Sequence, residues 1–305
     1  METGDYPSLF AVSDTAANKA KQKYYLLLIA QLTIFVMASF SGSLASRGDI
    51  FYSRVSAFLL AATLIITWIN RAQHYDKSWY ESRAIAESVK TLTWRYMMQT
   101  EPFPPAGDSD AAQKSFAGEL QRVRKTHAHA AADLTDFTGA PTVLSHYMEK
   151  IRNADWQTRK QEYLQQRLEP ERIWYEANAR RASSESERWL WAVIAVQVLA
   201  LFFAVVPPSW HVALFNPVTL LSMIASIITA WSQAKRHDEV AHSYASVAQI
   251  LGDLQGMADI EAKDAASFAN FVIKVEDAIA KERAHWLIKK NVAIDVDSEK
   301  PQSKN

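Results

Sequence analysis

Four long apolar runs, separated by strongly polar stretches, dominate the pattern of hydrophobic and polar positions along this chain. The runs lie at about residues 24–44, 50–70, 189–208 and 212–232. A helix crosses the hydrocarbon core of a bilayer with about 20 apolar residues, because each residue rises about 1.5 Å and the core is about 30 Å thick. Short turns join the first run to the second and the third to the fourth. The pattern therefore predicts two transmembrane helical hairpins.

The polar stretches around the hairpins have the rhythm of long helices. No helix breaker occurs between the second run and Pro102, which predicts a continuous helix from Ile50 to Gln99. The stretch 171–188 likewise leads into the third run without a breaker. Apolar residues at alternating spacings of four and three follow the fourth run, as in a heptad seam: Val240, Tyr244, Val247, Leu251, Leu254 and Ala258. These segments predict long cytosolic helical extensions that form a bundle.

The predicted fold is an all-α membrane protein with four spans in two hairpins. Along the chain we expect a polar N-terminal segment at 1–18, two-span units at 19–153 and 154–291, and a disordered tail at 292–305. A cleaved secretory signal is the competing interpretation of the first run, since small residues follow it at 43–46. The acidic residues of the leader and the length of the run favour a retained anchor.

A short sequence recurs after the second span of each hairpin. Ile65-Ile66-Thr67-Trp68 precedes His74, and Ile227-Ile228-Thr229-Ala230-Trp231 precedes His237. Two-span repeats of this kind would be parallel and related by an axis along the membrane normal. The match is short, so chance similarity is the alternative.

Composition excludes several classes of function. The 33 basic and 33 acidic residues cancel, so no overall charge predicts a nucleic-acid partner. The chain has no cysteine, which excludes disulfides, thiolate catalysis and cysteine-ligated metals. Its sequence shows no glycine-rich phosphate loop, nucleophile motif or paired-carboxylate site. We therefore expect no enzyme activity, no cofactor and no metal site.

Basic residues near the spans predict the orientation of the chain. The first turn holds only Arg47 and Arg54, and most of the basic residues lie at the ends of the hairpins away from the turns: Lys19, Lys21, Lys23, Arg71, Lys77, Arg180, Arg181, Arg188, Lys235 and Arg236. Cytosolic flanks of membrane spans carry an excess of lysine and arginine. Both termini and the polar helices are therefore expected in the cytoplasm, and both turns outside.

The spans contain uncharged polar residues that could pack helices or line a pore. The candidates are Gln31, Thr33, Ser39, Ser41, Ser43 and Gln197. A hydroxyl or amide in a span usually bonds a neighbouring helix, so packing is the simpler interpretation and pore lining the alternative. The middle of each run has no carboxylate or lysine, which disfavours an ion-coupled transporter.

The polar helices carry residues that resemble those of a known family. In the first half these are Trp79, Arg83, Glu87, Lys90 and Trp94. In the second half they are Tyr163, Arg167, Trp174, Tyr244, Glu276, Glu282 and Trp286. This arrangement resembles the SLATT family, the SMODS- and SLOG-associating two-transmembrane effector domains, and its second half resembles the related DUF4231 branch. Surface salt bridging is the alternative role for the charged members, although Glu282 falls on an apolar stripe where a charge requires a partner.

The resemblance implies a membrane-embedded effector of a bacterial antiphage or conflict system. Such a protein would oligomerise and permeabilise the inner membrane on a signal from a sensor protein or a nucleotide second messenger. Its partners would be the lipid bilayer and further copies of the chain. The residues themselves leave a second function open, a non-catalytic scaffold or regulatory subunit that docks a cytosolic partner.

The predicted orientation can be tested directly because the chain lacks cysteine. A single cysteine introduced at Gly48, in the first turn, is expected to react with a membrane-impermeant maleimide in intact cells. Labelling of Gly48→Cys only after the cytoplasm is opened to the reagent would invert the predicted topology.

Overall fold

The computed structural model describes residues 1–45, 49–103, 109–127, 142–206 and 216–289, and within these ranges every regular element is helical. The helices are α1 Ser8–Ala45, α2 Ile50–Gln73, α3 Tyr75–Met97, α4 Ser109–Thr126, α5 His146–Arg152, α6 Trp156–Tyr163, α7 Glu169–Val205, α8 Pro217–Lys235, α9 His237–Glu261 and α10 Ala265–Lys289. A 3-10 turn at Thr3–Asp5 precedes α1, and a π-helical segment at Leu164–Leu168 joins α6 to α7. The all-α prediction is confirmed.

Four helical stretches are long and apolar enough to cross a membrane. They are Ser8–Ala45, Ile50–Met97, Trp156–Val205 and Pro217–Glu261. The expected four spans are thus confirmed by length and composition. Helix α1 begins at Ser8, so most of the segment predicted as a polar N-terminus is helical. The expected turns and the tail at 292–305 lie largely or wholly outside the described residues.

The helix expected from Ile50 to Gln99 is interrupted at His74. This residue has φ 46° and ψ 39°, in the left-handed region, and separates α2 from α3. Arg236, with φ 51°, separates α8 from α9 in the same way. The left-handed conformation costs a non-glycine residue about 1–2 kcal/mol. The sequence does not predict these two interruptions, because neither histidine nor arginine is a helix breaker.

The chain divides in space into two compact units. We call the first the polar unit; it consists of Met1–Lys21, Asp76–Glu176 and the chain from Ser246 onward. The second, the span unit, consists of Gln22–Tyr75 and Ala177–Ala245. Each unit takes segments from both halves of the sequence, so the units in space are not the two successive units along the chain.

The core of the polar unit is built from one face of each of its helices. The buried apolar side chains of α10 recur at spacings of three and four residues, which places them on one side of the helix. The heptad seam on α9 is buried at Val247, Leu251 and Ala258. The largest buried apolar contributions come from Ile85, Val89, Trp94, Phe116, Met148, Leu168, Phe268, Phe271, Val272 and Val275. Burial of this apolar surface is the main force that assembles the unit.

The span unit is held by close polar and aromatic contacts between its helices. The Ser56 hydroxyl donates to the Ala38 carbonyl at 2.9 Å, and a Cβ placed on Gly42 would lie 3.4 Å from the Ser56 Oγ. Small residues therefore let α1 and α2 approach closely. The Trp231 ring lies 6.0 Å from that of Tyr25 and 6.4 Å from that of Trp189, so α8 contacts both α1 and α7.

Large apolar side chains cover the outside of the span unit. Phe58 is 75% exposed, Leu64 72% and Trp191 67%. An apolar surface of this extent is typical of a protein that contacts membrane or another apolar partner. The lipid bilayer is therefore the natural surrounding of this unit.

The left-handed residue between α2 and α3 yields a stability prediction. His74 is exposed, so its replacement removes little packing. His74→Gly is expected to stabilise the chain by about 0.5–1 kcal/mol, because glycine adopts φ near 46° without a Cβ clash. His74→Ala retains the clash and serves as the control. Thermal unfolding in detergent should show a higher midpoint for the glycine variant only; equal midpoints would contradict the argument.

Candidate functional site

A pair of oppositely charged side chains lies in the core of the polar unit. The side chain of Arg167 is 1% exposed and that of Glu276 is 0% exposed. Arg167 belongs to the π-helical segment, in which the N–H of Glu169 donates to the carbonyl of Leu164. A π-bulge inserts a residue into a helix and rotates the side chains beyond it, and such bulges occur frequently at functional sites. This segment places Arg167 in the core opposite α10.

The pair has the two-pronged geometry of a strong interaction. Arg167 Nε donates to Glu276 Oε1 at 2.8 Å, and Arg167 Nη2 donates to Oε2 at 2.8 Å. The Tyr163 hydroxyl donates to the same Oε1 at 3.0 Å. Bidentate arginine–carboxylate pairs are among the strongest hydrogen-bonded contacts in proteins and fix both partners in orientation.

The pair continues toward the surface through two further charges. Arg167 Nη1 donates to Glu171 Oε1 at 2.6 Å, and Lys90 Nζ donates to the same oxygen. The side chain of Glu171 is 12% exposed and that of Lys90 is 24% exposed. We call the set Tyr163, Glu276, Arg167, Glu171 and Lys90 the buried charge chain. Its two acids and two bases balance, and it ties α3, α7 and α10 together.

The electrostatic surroundings keep these groups in their paired forms. Burial alone would lower the pKa of Arg167, but the carboxylates of Glu276 and Glu171 raise that pKa well above its usual value. Burial raises the pKa of Tyr163, and the charge of Glu276 raises it further. The arginine therefore stays charged and the tyrosine stays a neutral donor.

Two aromatic groups enclose the inner end of the chain. The ring of Trp94 lies edge-on to that of Tyr163 at 5.7 Å, and its Nε1 donates to the Tyr6 hydroxyl at 3.2 Å. Burial raises the pKa of Tyr6 to about 12. The N-terminal segment is thereby joined to the core around the ion pair. The charges of this site satisfy one another, which suits a contact that holds helices together.

Several residues selected from the sequence meet in this site. Lys90, Trp94, Tyr163 and Glu276 are brought together, although they are distant in the chain. From the sequence, Arg167 is selected only through the family resemblance, and Glu171 is not selected. The spacing of four residues between them was a usable signal, because such residues share a helix face.

The other selected residues of the polar helices lie elsewhere. Arg83 pairs with Asp14 at 2.7 Å and with Glu87 at 2.6 Å while its own side chain is 45% exposed, which is ordinary surface pairing. Trp79 stacks on Tyr80 at 4.6 Å.

Trp174, 43% exposed, contacts Tyr175, and Tyr244 is half-buried in the span unit. Glu282 and Trp286 belong to α10, but their side chains lie outside the described residues.

Among the polar residues selected in the first hairpin, Gln31 makes a contact across the helices. Gln31 Nε2 donates to Thr67 Oγ1 at 3.0 Å, which joins α1 to α2. Thr33, Ser39 and Ser41 bond no other span within the described ranges, and Ser43 lies half-buried on the same helix.

The second hairpin instead contains an open groove between α7 and α8. Its volume is about 580 Å³. Small and polar side chains line most of it: Gln197, Ala200, Leu201, Ala204, Val218, Ser222, Ala225, Ser226, Thr229, Ala230 and Gln233. Gln197, the remaining candidate from the sequence, thus lines this groove. Among the described residues no group of three histidine, aspartate or glutamate side chains could hold a metal ion.

Each half of the chain matches a known protein family. Residues 7–160 match the family described as SMODS and SLOG-associating 2TM effector domain 3. Residues 163–286 match SMODS and SLOG-associating 2TM effector domain 1. No curated protein and no solved structure matches the chain. The expected resemblance, a fusion of two such two-span domains, is confirmed.

The buried pair yields a prediction for a double-mutant cycle. Arg167→Met is expected to destabilise the polar unit by about 3–5 kcal/mol, because it leaves the Glu276 carboxylate buried without its cation. Adding Glu276→Leu should recover most of this loss, since both charges are then removed. The thermal midpoint and the rate of limited proteolysis report the change.

Arg83→Met is the matched control, because it removes an exposed arginine of the same kind and should cost about 1 kcal/mol or less. A double variant as unstable as Arg167→Met alone would show that the charges are not coupled.

Proposed function

The chain belongs to the SLATT family of SMODS and SLOG-associating 2TM effector domains, and we propose that it permeabilises the bacterial inner membrane in antiphage or conflict defence when a cytosolic signal arrives. The observation that carries the proposal is the open, hydroxyl- and amide-lined groove of the second hairpin. The proposal places both termini in the cytoplasm and requires no catalytic step, cofactor or metal.

The groove supplies the groups that a water-filled path requires. Ser222, Ser226 and Thr229 present hydroxyls along one side of α8, and Gln197 presents an amide from α7. Pores conduct when their lining can hydrogen-bond to water or replace the hydration of an ion. Because the groove residues carry no charge, the path would discriminate little between cations and anions.

The buried charge chain is suited to receive the signal. Its outer members, Lys90 and Glu171, are partly exposed, so an anionic ligand or a sensor protein could compete for the lysine. Removal of one member leaves a buried charge unpaired, which strongly favours rearrangement. Helix α7 begins with Glu171 in its first turn and also contains the third span, so the two features share one helix. The trigger would be a sensor protein or a nucleotide second messenger.

A second candidate function rests on a different surface. Among its described residues, the polar unit exposes large apolar side chains at Ile173, Trp174, Ile250, Met257 and Ile260. Exposed apolar residues of this size mark docking surfaces for other proteins. A scaffold or regulatory subunit would use them to bind a cytosolic partner, and it would form a stable complex without any change in membrane permeability.

The proposal is tested by measuring permeability with the full chain. Reconstituted into liposomes, the protein is expected to release potassium and small dyes, and induced expression should lower the membrane potential of cells. Lys90→Met is expected to increase the leak, because it frees the outer end of the buried charge chain.

Lys274→Met removes a lysine from an exposed pair with Glu261 and is the matched control, with an unchanged leak. Sealed liposomes for the parent chain and for Lys90→Met, together with an intact membrane potential in cells, would exclude the pore and leave the scaffold.

A further inference from the structure

The second span of each hairpin contains the same arrangement around a threonine. In α2 the Thr67 hydroxyl donates to the carbonyl of the buried Thr63 at 2.8 Å. In α8 the Thr229 hydroxyl donates to the carbonyl of the buried Ala225 at 2.9 Å. Each threonine is the one in the repeated Ile-Ile-Thr sequence. The two positions therefore correspond in structure as well as in sequence.

The first span of each hairpin contributes one glutamine, and here the hairpins differ. Gln31 in α1 donates to Thr67 at 3.0 Å. Gln197 in α7 lines the same groove as Thr229, yet it makes no hydrogen bond to any described residue. The first hairpin is closed by this contact, whereas the second remains open at the corresponding place.

In a membrane, the unbonded amide of Gln197 is unfavourable for an isolated chain. Gln197 lies in the middle of the third apolar run and is exposed on the surface of α7. Lipid tails offer no hydrogen-bond partner, so an amide in a span normally bonds to another helix. A primary amide is both a donor and an acceptor, which makes it complementary to a second amide of the same kind.

The shape of the groove allows another helix to come close. Ala200, Ala204, Ser226 and Ala230 line it, and side chains of this size let helix backbones approach each other. Large apolar residues occupy the opposite face of α7, where Leu199 is 45% exposed and Phe202 is 57% exposed. The two faces of α7 therefore favour different neighbours. The groove side favours another helix, and the opposite side favours lipid tails.

We propose that the groove between α7 and α8 binds the same groove face of a second copy of this chain, with the two Gln197 amides bonded to each other. A twofold axis through the pair makes the contact self-complementary, as homodimer interfaces are. The inference deepens the proposed function by naming its membrane partner: two grooves that face each other would place the hydroxyl-lined path between two copies instead of within one. It rests on the proposed function for the bilayer setting.

The test is disulfide cross-linking in native membranes, for which the chain has no background cysteine. Ala204→Cys lies in the groove, and Ala195→Cys is the matched control because it lies on the opposite face of α7. Oxidation with copper phenanthroline is expected to give a dimer band on a non-reducing gel for Ala204→Cys only. Equal dimer yields from the two variants, or no dimer from Ala204→Cys, would overturn the inference.

A second arm tests the amide itself. Gln197→Leu, added to Ala204→Cys, is expected to lower the dimer yield roughly three- to tenfold, since one amide pair is lost from the interface. Gln31→Leu in the same background is the matched control and should leave the yield unchanged, because Gln31 bonds within its own chain. An unchanged yield for Gln197→Leu would refute the amide contact.

A third arm separates the other possible occupants of the groove. If Gln197 reaches Thr229 of its own chain, the double variant Gln197→Cys/Thr229→Cys forms a disulfide within the monomer, which overturns the inference. A cross-linked product heavier or lighter than a dimer would indicate another protein and would also overturn it. The readout does not depend on leakage: dimers in sealed liposomes would refute only the proposed pore, and leakage without dimers would refute only this interface.

Discussion

The bidentate pair between Arg167 and Glu276 is the contact on which the polar unit depends. Both side chains are excluded from water, so each is tolerable only while the other is present. The pair holds the π-helical segment against α10, and its extension through Glu171 reaches Lys90 on α3. Trp94 and Tyr6 then attach the N-terminal segment to the same core. A buried charge pair contributes little net stability compared with an apolar core, but the loss of either partner leaves a buried charge unpaired and is strongly destabilising.

The span unit obeys a different constraint, because lipid rather than water surrounds it. Apolar burial does not distinguish one helix pairing from another there, and close packing and hydrogen bonds decide instead. In the first hairpin these requirements are met within the chain by the contacts of Gln31 with Thr67 and of Ser56 with Ala38. In the second hairpin the corresponding glutamine lines an open groove. At this position the first hairpin is therefore closed by a contact within the chain, and the second hairpin is open.

The two halves of the sequence do not form two separate bodies. Each compact unit combines segments from both halves, and α1 and α7 contribute residues to the polar unit and to the span unit. The charge chain itself joins Lys90 of the first half to Arg167 and Glu276 of the second. Neither two-span domain could complete the site alone, which gives a physical reason for the fusion of two such domains in one chain.

The sequence by itself determined the helical class and the four apolar runs, because hydrophobic periodicity and run length are local properties. The family followed from the pattern of aromatic and charged residues on the polar helices. The resemblance to the family also selected Lys90, Trp94, Tyr163 and Glu276 from the sequence. Only the tertiary structure decided that these residues meet, that Arg167 is the partner of Glu276, and that His74 and Arg236 interrupt helices. Pairing across more than 100 residues depends on how the helices pack and on the register shift of the π-helical segment. Gln31 bonds to a neighbouring span and Gln197 lines an open groove. This difference depends on the distance between neighbouring spans, which local sequence does not encode.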